Sequence, residues 1–309
     1  MQDGGISPPE RPETLVLRSG RRLEVRSYGD PEGHPAFFFH GLIGSHNQAS
    51  FIAGPARRLG LRIIAPNRPG VGRSEFILRR SPLEAVGDVE EVADSMGLGE
   101  FSVVGISGGS PYALATLARL GARVRTATLI SGMGPTRLAG ALDGMRRSDR
   151  IALAIGSRHR GLALREFRRW STAYRADPDR FLRGFIARLV PADRLLFRDE
   201  GLRRVILGDL RELFVEGRGP ESLAQELTLY RNYGFRLEDL PADRRVTLWH
   251  GLDDGLVPPS MAFRMARSLP NGEAHLVPGG HFIAVEIAGR VIERMKQLID
   301  DPTGSPTPG

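Results

Sequence analysis

A serine flanked by glycines stands where a predicted strand meets a predicted helix. The segment Gly105–Gly109 reads Gly-Ile-Ser-Gly-Gly; it follows the apolar run Phe101–Val104 and precedes apolar residues at helical spacing over Pro111–Leu120. A serine at such a corner adopts a strained backbone conformation, which small neighbours make tolerable. The turn would expose the Ser107 hydroxyl as a nucleophile. It would also place the Gly108 N–H at a helix start, where free donors favour anions.

An acid and a histidine follow Ser107 in the chain, each just after a predicted strand. The run Arg245–Trp249 precedes the pair Asp253 and Asp254, and a later apolar run precedes His281. Serine needs a base within hydrogen-bond reach to become a good nucleophile, and that base needs an acid that fixes its tautomer. The spacing therefore predicts nucleophilic catalysis by residues at the ends of three strands.

Four segments in this order resemble the α/β-hydrolase superfamily: His40-Gly41, Gly105–Gly109, Gly251–Pro258 and Gly279–His281. The chain order serine, acid, histidine is typical of that superfamily and differs from the orders in the chymotrypsin and subtilisin folds. The resemblance covers nearly the whole chain. It implies an α/β-hydrolase fold, with a mostly parallel eight-stranded sheet flanked by helices and an inserted helical cap.

The resemblance also implies roles for the three polar residues. Ser107 would be the nucleophile, His281 the base and Asp254 the acid. The superfamily spacing of glycine, two residues, aspartate, two residues and valine-proline selects Asp254, which leaves Asp253 as a solvated turn residue. His250, directly before Gly251, is expected to be structural.

Acyl transfer needs hydrogen-bond donors aimed at the developing oxyanion. Gly108 N–H is one candidate, and the resemblance implies Leu42 N–H as the second. Four residues would support these loops: His40, Gly41, Gly105 and Gly109. The loop Asn67–Ser74 matches another superfamily loop that usually begins with aspartate. We expect it to be structural, with Arg68 or Arg73 as candidates for substrate contact.

Charge and composition narrow the classes of partner. The net charge is +7, and residues 133–240 hold 21 arginines against 15 acidic residues, so most of the excess lies there. These arginines alternate with leucines and acids, as on solvated helix faces, so nucleic-acid binding is not expected. The chain has no cysteine, and we expect neither a metal nor a cofactor. It shows no long apolar run and no signal-peptide pattern, which favours a cytoplasmic protein without a membrane partner.

Hydrophobic periodicity divides the chain into a core and an insertion. The core comprises residues 14–132 and 241–300. It begins with a predicted hairpin of Thr14–Leu17 and Leu23–Ser27, after which strands and helices alternate. Residues 133–240 read as several helices without a strand, with breaks at Gly161, Asp177-Pro178, Pro191 and Gly217–Pro220. We expect this segment to be a helical cap over the site. Residues 1–13 are predicted to be flexible and residues 301–309 disordered.

These features favour a serine hydrolase that cleaves a carboxylic ester or related acyl bond of a small molecule with an apolar portion. Ser107 argues against dehalogenases and epoxide hydrolases, which use an aspartate nucleophile. Carbon–carbon hydrolases, lyases and cofactor-free oxygenases of the superfamily stay open as alternatives, because fold and triad do not determine substrate. A non-catalytic protein that binds a small ligand is a further alternative. The protein is expected to be a monomer or homodimer.

Overall fold

The computed structural model describes residues 13–78, 81–231 and 233–301. The predictions of a flexible N-terminus and a disordered tail lie outside these ranges, except at their inner ends. There, Glu13 begins the first strand and Asp301 follows the last helix. No helix among the described residues is long and apolar enough to span a bilayer.

Eight strands form one twisted sheet, in the spatial order β1-β2-β4-β3-β5-β6-β7-β8. The strands β1 and β2 form the predicted antiparallel hairpin, β2 runs antiparallel to β4, and all other pairs are parallel. The prediction of an eight-stranded, mostly parallel sheet is therefore confirmed. The strands are β1 Glu13–Val16, β2 Arg22–Gly29, β3 His34–Phe39, β4 Leu61–Pro66, β5 Phe101–Ile106, β6 Val124–Ile130, β7 Arg245–Gly251 and β8 Gly272–Val277.

Eleven α-helices connect or follow these strands among the described residues. They are α1 Ser50–Arg58, α2 Pro82–Ser95, α3 Ser110–Leu120, α4 Arg147–Gly156, α5 Arg160–Ala176, α6 Pro178–Ala187, α7 Pro191–Leu196, α8 Glu200–Arg211, α9 Gly219–Leu229, α10 Pro259–Ser268 and α11 Ala284–Asp300. The helix α2 begins with a capping box. The Ser81 side chain accepts from Glu84 N–H, and the Glu84 side chain accepts from Ser81 N–H.

Both faces of the sheet are covered, because side chains along a buried strand alternate between them. In β3, Phe37 and Phe39 enter the cluster with α2, α3 and α10, whereas Ala36 and Phe38 enter the cluster with α1 and α11. All four side chains are almost fully buried. This two-sided burial fixes where the carboxyl ends of the strands meet, and active sites of such sheets form there.

The helices α4 to α9 lie between β6 and β7, and α5 to α9 build a separate core around Phe167, Leu182, Leu210 and Phe214. The expected break at Gly161 is wrong. Gly161 lies in the first turn of α5 with open space where a Cβ would be, and the chain breaks at residues 157–159 instead. A further break before α8 was not predicted. There Asp199 caps the helix by accepting from Leu202 N–H at 2.8 Å.

Candidate active site

Ser107 occupies a strained corner between β5 and α3. Its φ of +49° is in the left-handed region, which among the described residues only Ser131 shares outside glycine. The flanking glycines are sterically required. A Cβ on Gly105 would lie 2.8 Å from Ser110 Cα, and one on Gly109 would lie 2.0 Å from the Phe39 carbonyl oxygen. The corner therefore holds the Ser107 hydroxyl at the end of the central strand.

The structure brings Ser107, His281 and Asp254 together in one hydrogen-bonded chain. His281 Nε2 lies 3.0 Å from Ser107 Oγ, and His281 Nδ1 lies 2.8 Å from Asp254 Oδ2. Asp253 is exposed and does not face the histidine; its N–H donates to the Gly279 carbonyl. The arrangement has the geometry of a nucleophile, a base and an orienting acid.

Asp254 is held as a carboxylate by the donors around it. Its Oδ1 accepts from the N–H groups of Leu256 and Val257, both at 2.9 Å, and His250 Nε2 lies 3.1 Å from Oδ2. Burial alone would raise its pKa, but the charge of His281 and the histidine hydrogen bonds outweigh burial and hold the pKa of Asp254 well below 3.8. His250 thus supports the acid.

The protonation of His281 is balanced between opposing effects. Burial disfavours the imidazolium, whereas the carboxylates of Asp254 and Asp193 favour it, and together the carboxylates raise the pKa of His281 above 6.5. A base with a raised pKa accepts the serine proton more readily and remains mostly neutral only at higher pH.

The predicted oxyanion donors lie side by side at Ser107. A Cβ on Gly41 would lie 3.4 Å from Ser107 Cβ, and one on Gly108 would lie 2.9 Å from Leu42 N. The loop is braced from behind, because Gly41 N–H donates to Gln48 Oε1 at 2.8 Å. The backbone N–H groups of Leu42 and Gly108 are therefore fixed next to the serine.

Arg68 is not a substrate contact, contrary to one of the two options from the sequence. It is buried, and its guanidinium donates to the backbone carbonyls of Gly41 and Leu42 and, at 3.0 Å, of Gly108. The Gly41 carbonyl belongs to the same peptide group as Leu42 N–H, so the positive charge polarises that donor. Arg73, the other option, is exposed and does not line the cavity around Ser107.

His40 braces the same loop as a neutral side chain. Its Nε2 accepts from Arg68 N–H at 3.2 Å, and its Nδ1 lies 3.0 Å from the Gly41 carbonyl oxygen. Burial and the charge of Arg68 lower the pKa of His40 well below its usual value. His40 therefore acts on the loop as a hydrogen-bonding brace.

The loop that carries His281 is held by two residues that the sequence did not single out. Asp193, in α7, accepts from the N–H groups of His281 at 3.0 Å and Phe282 at 2.9 Å. Ser131, at the end of β6, donates to the His281 carbonyl at 2.8 Å. Asp193 comes from the helical segment and lies 88 residues from His281 in the sequence, so no local spacing could reveal it.

Other buried carboxylates of the helical segment bind the remaining loops. Asp209 accepts from Ser45 N–H and Oγ–H and from Gln48 Nε2, the glutamine that holds Gly41. Glu226 lies 3.3 Å from Arg68 Nη1 and accepts from the Tyr112 hydroxyl at 2.6 Å. The helices α7 to α9 therefore anchor the active-site loops through side-chain carboxylates.

A cluster of Glu24, His46 and Glu212 has ligand-type atoms within 4.8 Å of one another, in the part of the chain that the structure describes. Asn67 Nδ2 donates to both carboxylates, at 3.0 and 2.7 Å, and Asn67 Oδ1 accepts from His46 N–H at 2.7 Å. Tyr28 hydroxyl lies 2.7 Å from His46 Nδ1. These groups satisfy one another, so the cluster is a structural polar network under the loop that Asn67 begins.

A cavity of about 780 Å³ opens above Ser107 and receives side chains from the sheet domain and from the helical segment. Its walls are mainly apolar and aromatic. They include Ile43, Phe51, Trp170, Phe181, Phe185 and Phe282. Such a cavity suits a small molecule with an apolar portion.

Comparison with known proteins identifies the family of this fold. A family model described as the alpha/beta hydrolase fold matches residues 37–286. The chain belongs to the α/β-hydrolase fold family. The resemblance seen in the sequence is thereby confirmed for the family.

The proteins that this chain resembles are named for different hydrolytic reactions. The chain is 26% identical to a 2-hydroxymuconate semialdehyde hydrolase from Pseudomonas putida over 96% of each chain. Its structure is similar to an esterase from a Rhodococcus species, with a TM-score of 0.68, 22% identity and coverage of 94% and 98% of the two chains. It is also similar to a thermophilic esterase from Thermogutta terrifontis, with a TM-score of 0.66, 19% identity and coverage of 96% and 100%. The structural likenesses show the fold alone.

Proposed function

We propose that the protein is a serine hydrolase that cleaves a carboxylic ester or related acyl bond through an acyl-enzyme. The observation that carries this proposal is the chain Ser107–His281–Asp254, with distances of 3.0 and 2.8 Å, at the floor of an apolar cavity. The helical segment would act as the cap that covers the substrate.

Each step follows from the geometry. His281 Nε2 takes the proton as Ser107 Oγ attacks the carbonyl carbon, and the N–H groups of Leu42 and Gly108 stabilise the oxyanion. Collapse of the tetrahedral intermediate breaks the bond to the leaving group, which receives the proton from His281. Water, activated by the same histidine, then releases the acid and restores Ser107.

The test is hydrolysis of p-nitrophenyl esters of increasing acyl length by the wild type and by Ser107→Ala. We expect turnover that falls by about 10⁴ to 10⁶ in the mutant, which should stay folded. A matched control is Ser110→Ala, since the Ser110 hydroxyl is buried nearby without a hydrogen-bond partner and should not affect the reaction. Equal activity of Ser107→Ala and the wild type would overturn the proposal.

A second candidate is hydrolysis of a carbon–carbon bond. The similarity to the Pseudomonas putida hydrolase over 96% of each chain favours it, because that protein is named for 2-hydroxymuconate semialdehyde. The two candidate reactions are separated by incubating the protein with that compound and monitoring the loss of its absorbance. Faster Ser107-dependent consumption of 2-hydroxymuconate semialdehyde than of any p-nitrophenyl ester would favour the carbon–carbon reaction.

A further inference from the structure

Tyr230 is the residue through which the helical segment reaches the oxyanion side of the cleft. It follows α9, is 1% exposed and lines the cavity together with Ser107 and Gly108. Its backbone is fixed, because Thr136 N–H donates to the Tyr230 carbonyl at 2.7 Å. The side chain is therefore held at the cavity wall.

The hydroxyl of Tyr230 differs from those of the other tyrosines. Tyr112 donates to Glu226, Tyr174 and Tyr233 donate to backbone carbonyls, and Tyr28 pairs with His46. Tyr230 hydroxyl is buried, and its proton has no acceptor among the described residues; the one polar side chain beside its oxygen is Arg68, a donor. A buried hydroxyl without an acceptor is unfavourable, so it calls for an explanation.

The position of this hydroxyl supplies the explanation. A Cβ on Gly108 would lie 2.2 Å from the Tyr230 hydroxyl oxygen and 2.9 Å from Leu42 N. The phenol therefore occupies the space that a side chain at position 108 would fill, on the side of Gly108 that faces Leu42. The Tyr230 hydroxyl therefore lies close to Gly108 and to Leu42 N, in the wall of the cavity that Ser107 also lines.

The charges around the phenol favour donation by its proton. Arg68 is the positive group next to the Tyr230 oxygen, and a guanidinium can only donate. The carboxylate oxygens of Glu226 are already bound, one by Tyr112 and the other by Arg68. Burial raises the pKa of Tyr230, so the phenol keeps its proton, and nothing nearby in the described structure accepts it.

We propose that the Tyr230 hydroxyl is a third oxyanion donor, which binds the substrate carbonyl oxygen as it becomes negatively charged during attack by Ser107. This role rests on the proposed function. It makes the oxyanion site composite, with two backbone donors from the sheet domain and one side-chain donor from the helical segment. No bond to Tyr230 forms or breaks, and its proton stays on the phenol.

The test is Tyr230→Phe, with Tyr174→Phe as the matched control. Tyr174 is a buried tyrosine of the same helical segment, but its hydroxyl donates to the Leu207 carbonyl and it does not line the cavity. For Tyr230→Phe we expect kcat to fall about 10²-fold with KM within about threefold, because the donor acts mainly in the transition state. Affinity for a boronic acid, which forms a tetrahedral adduct with serine, should fall by a similar factor.

The melting temperature separates the proposed donor role from a structural role, because loss of a structural hydrogen bond would lower Tm. Because the Tyr230 hydroxyl donates to no acceptor in the described structure, Tyr230→Phe should have a Tm close to that of the wild type. Tyr174→Phe should have a lower Tm and an unchanged kcat. A Tyr230→Phe protein with wild-type kcat and wild-type boronate affinity would overturn the proposed donor.

Failure of the donor and failure of the proposed function are distinguishable in the same experiment. Ser107-dependent ester turnover by the wild type establishes that the hydrolase exists, whatever Tyr230→Phe does. Turnover in the wild type with no change in Tyr230→Phe would overturn the third donor alone. A wild type without ester turnover would overturn the proposed function and this role of Tyr230 with it.

Discussion

The proposed triad of Ser107, His281 and Asp254 depends on backbone details that a shift of one position would destroy. Asp253 and Asp254 are neighbours, but the turn after β7 directs the first to solvent and the second to His281. The turn is fixed by the N–H groups of Leu256 and Val257, both of which bind Asp254 Oδ1. Backbone hydrogen bonds therefore determine which of the two adjacent aspartates faces His281.

This arrangement predicts very different effects for the same change at the two positions. Asp254→Asn should lower kcat by about 10⁴, because an amide stabilises the wrong tautomer of His281. Asp253→Asn, the matched control, should lower kcat less than about tenfold, since its side chain is exposed. The measurement is kcat of the two mutants under steady-state conditions. A larger loss in Asp253→Asn than in Asp254→Asn would contradict the assignment of Asp254.

The raised pKa of His281 predicts the acid limb of the pH profile. Only the neutral imidazole can take the proton of Ser107, so kcat/KM should rise with pH and reach half its maximum above pH 6.5. The measurement is kcat/KM for one ester between pH 5 and 9, a range of about four units around the ordinary histidine value. An acid limb with its midpoint below 6.5 would be inconsistent with a histidine held by two carboxylates.

At the level of elements, the helices between β6 and β7 do more than the sequence indicated. The sequence predicted only that they form a helical cap over the site. In the structure, Asp193 in α7 and Asp209 in α8 also hold the loops of His281 and Gly41. The segment is therefore part of the framework that positions the proposed catalytic groups.

Asp193→Asn tests this positioning role. Loss of one of its two backbone hydrogen bonds should loosen the His281 loop and lower kcat about 10- to 100-fold with a smaller change in KM. Removal of the Asp193 charge should also lower the pKa of His281, so the acid limb should move to lower pH. A purely structural residue would not move that limb.

The control is the same change at Asp199, which caps α8 outside the cavity. Asparagine caps a helix about as well as aspartate, so Asp199→Asn should retain both kcat and the pH profile. If Asp193→Asn reproduced the wild-type pH profile and kcat, the loop would not depend on Asp193.

The sequence predicted most elements because their signals are local. The strands of the sheet and the serine corner each show within about ten residues of sequence. The break at Gly161 was wrong because a glycine in the first turn of a helix is tolerated, and it says little about where the chain turns. Asp193 and Tyr230 escaped notice, and Arg68 was given the wrong role, because the groups that they contact lie far away in sequence and only folding brings them together.

On the scale of the whole molecule, the cavity lies where two cores meet. The sheet domain contributes Ser107 and His281, and the helical segment contributes aromatic walls that include Phe185. Phe185 also packs edge-on against Phe197 and Phe282, which joins the two parts. Substrate size should therefore depend on side chains far from the triad in sequence.

Phe185→Ala should enlarge this cavity and favour longer acyl chains. The ratio of kcat/KM for a long to a short p-nitrophenyl ester should rise about tenfold, the effect expected from one or two methylene groups in an apolar pocket. Phe263→Ala is the matched control, because Phe263 is 47% exposed and does not line the cavity. An unchanged ratio in Phe185→Ala would mean that the helical segment does not select the acyl group.

The central claim is that Ser107 is the activated nucleophile, and mass spectrometry after treatment with a fluorophosphonate tests it most directly. The geometry of Ser107 and His281 predicts one adduct per chain, on the peptide that contains Ser107, and no adduct in Ser107→Ala. His281→Ala should react much more slowly, because the serine then lacks its base. An adduct on another serine, or equal labelling of Ser107→Ala, would contradict the account.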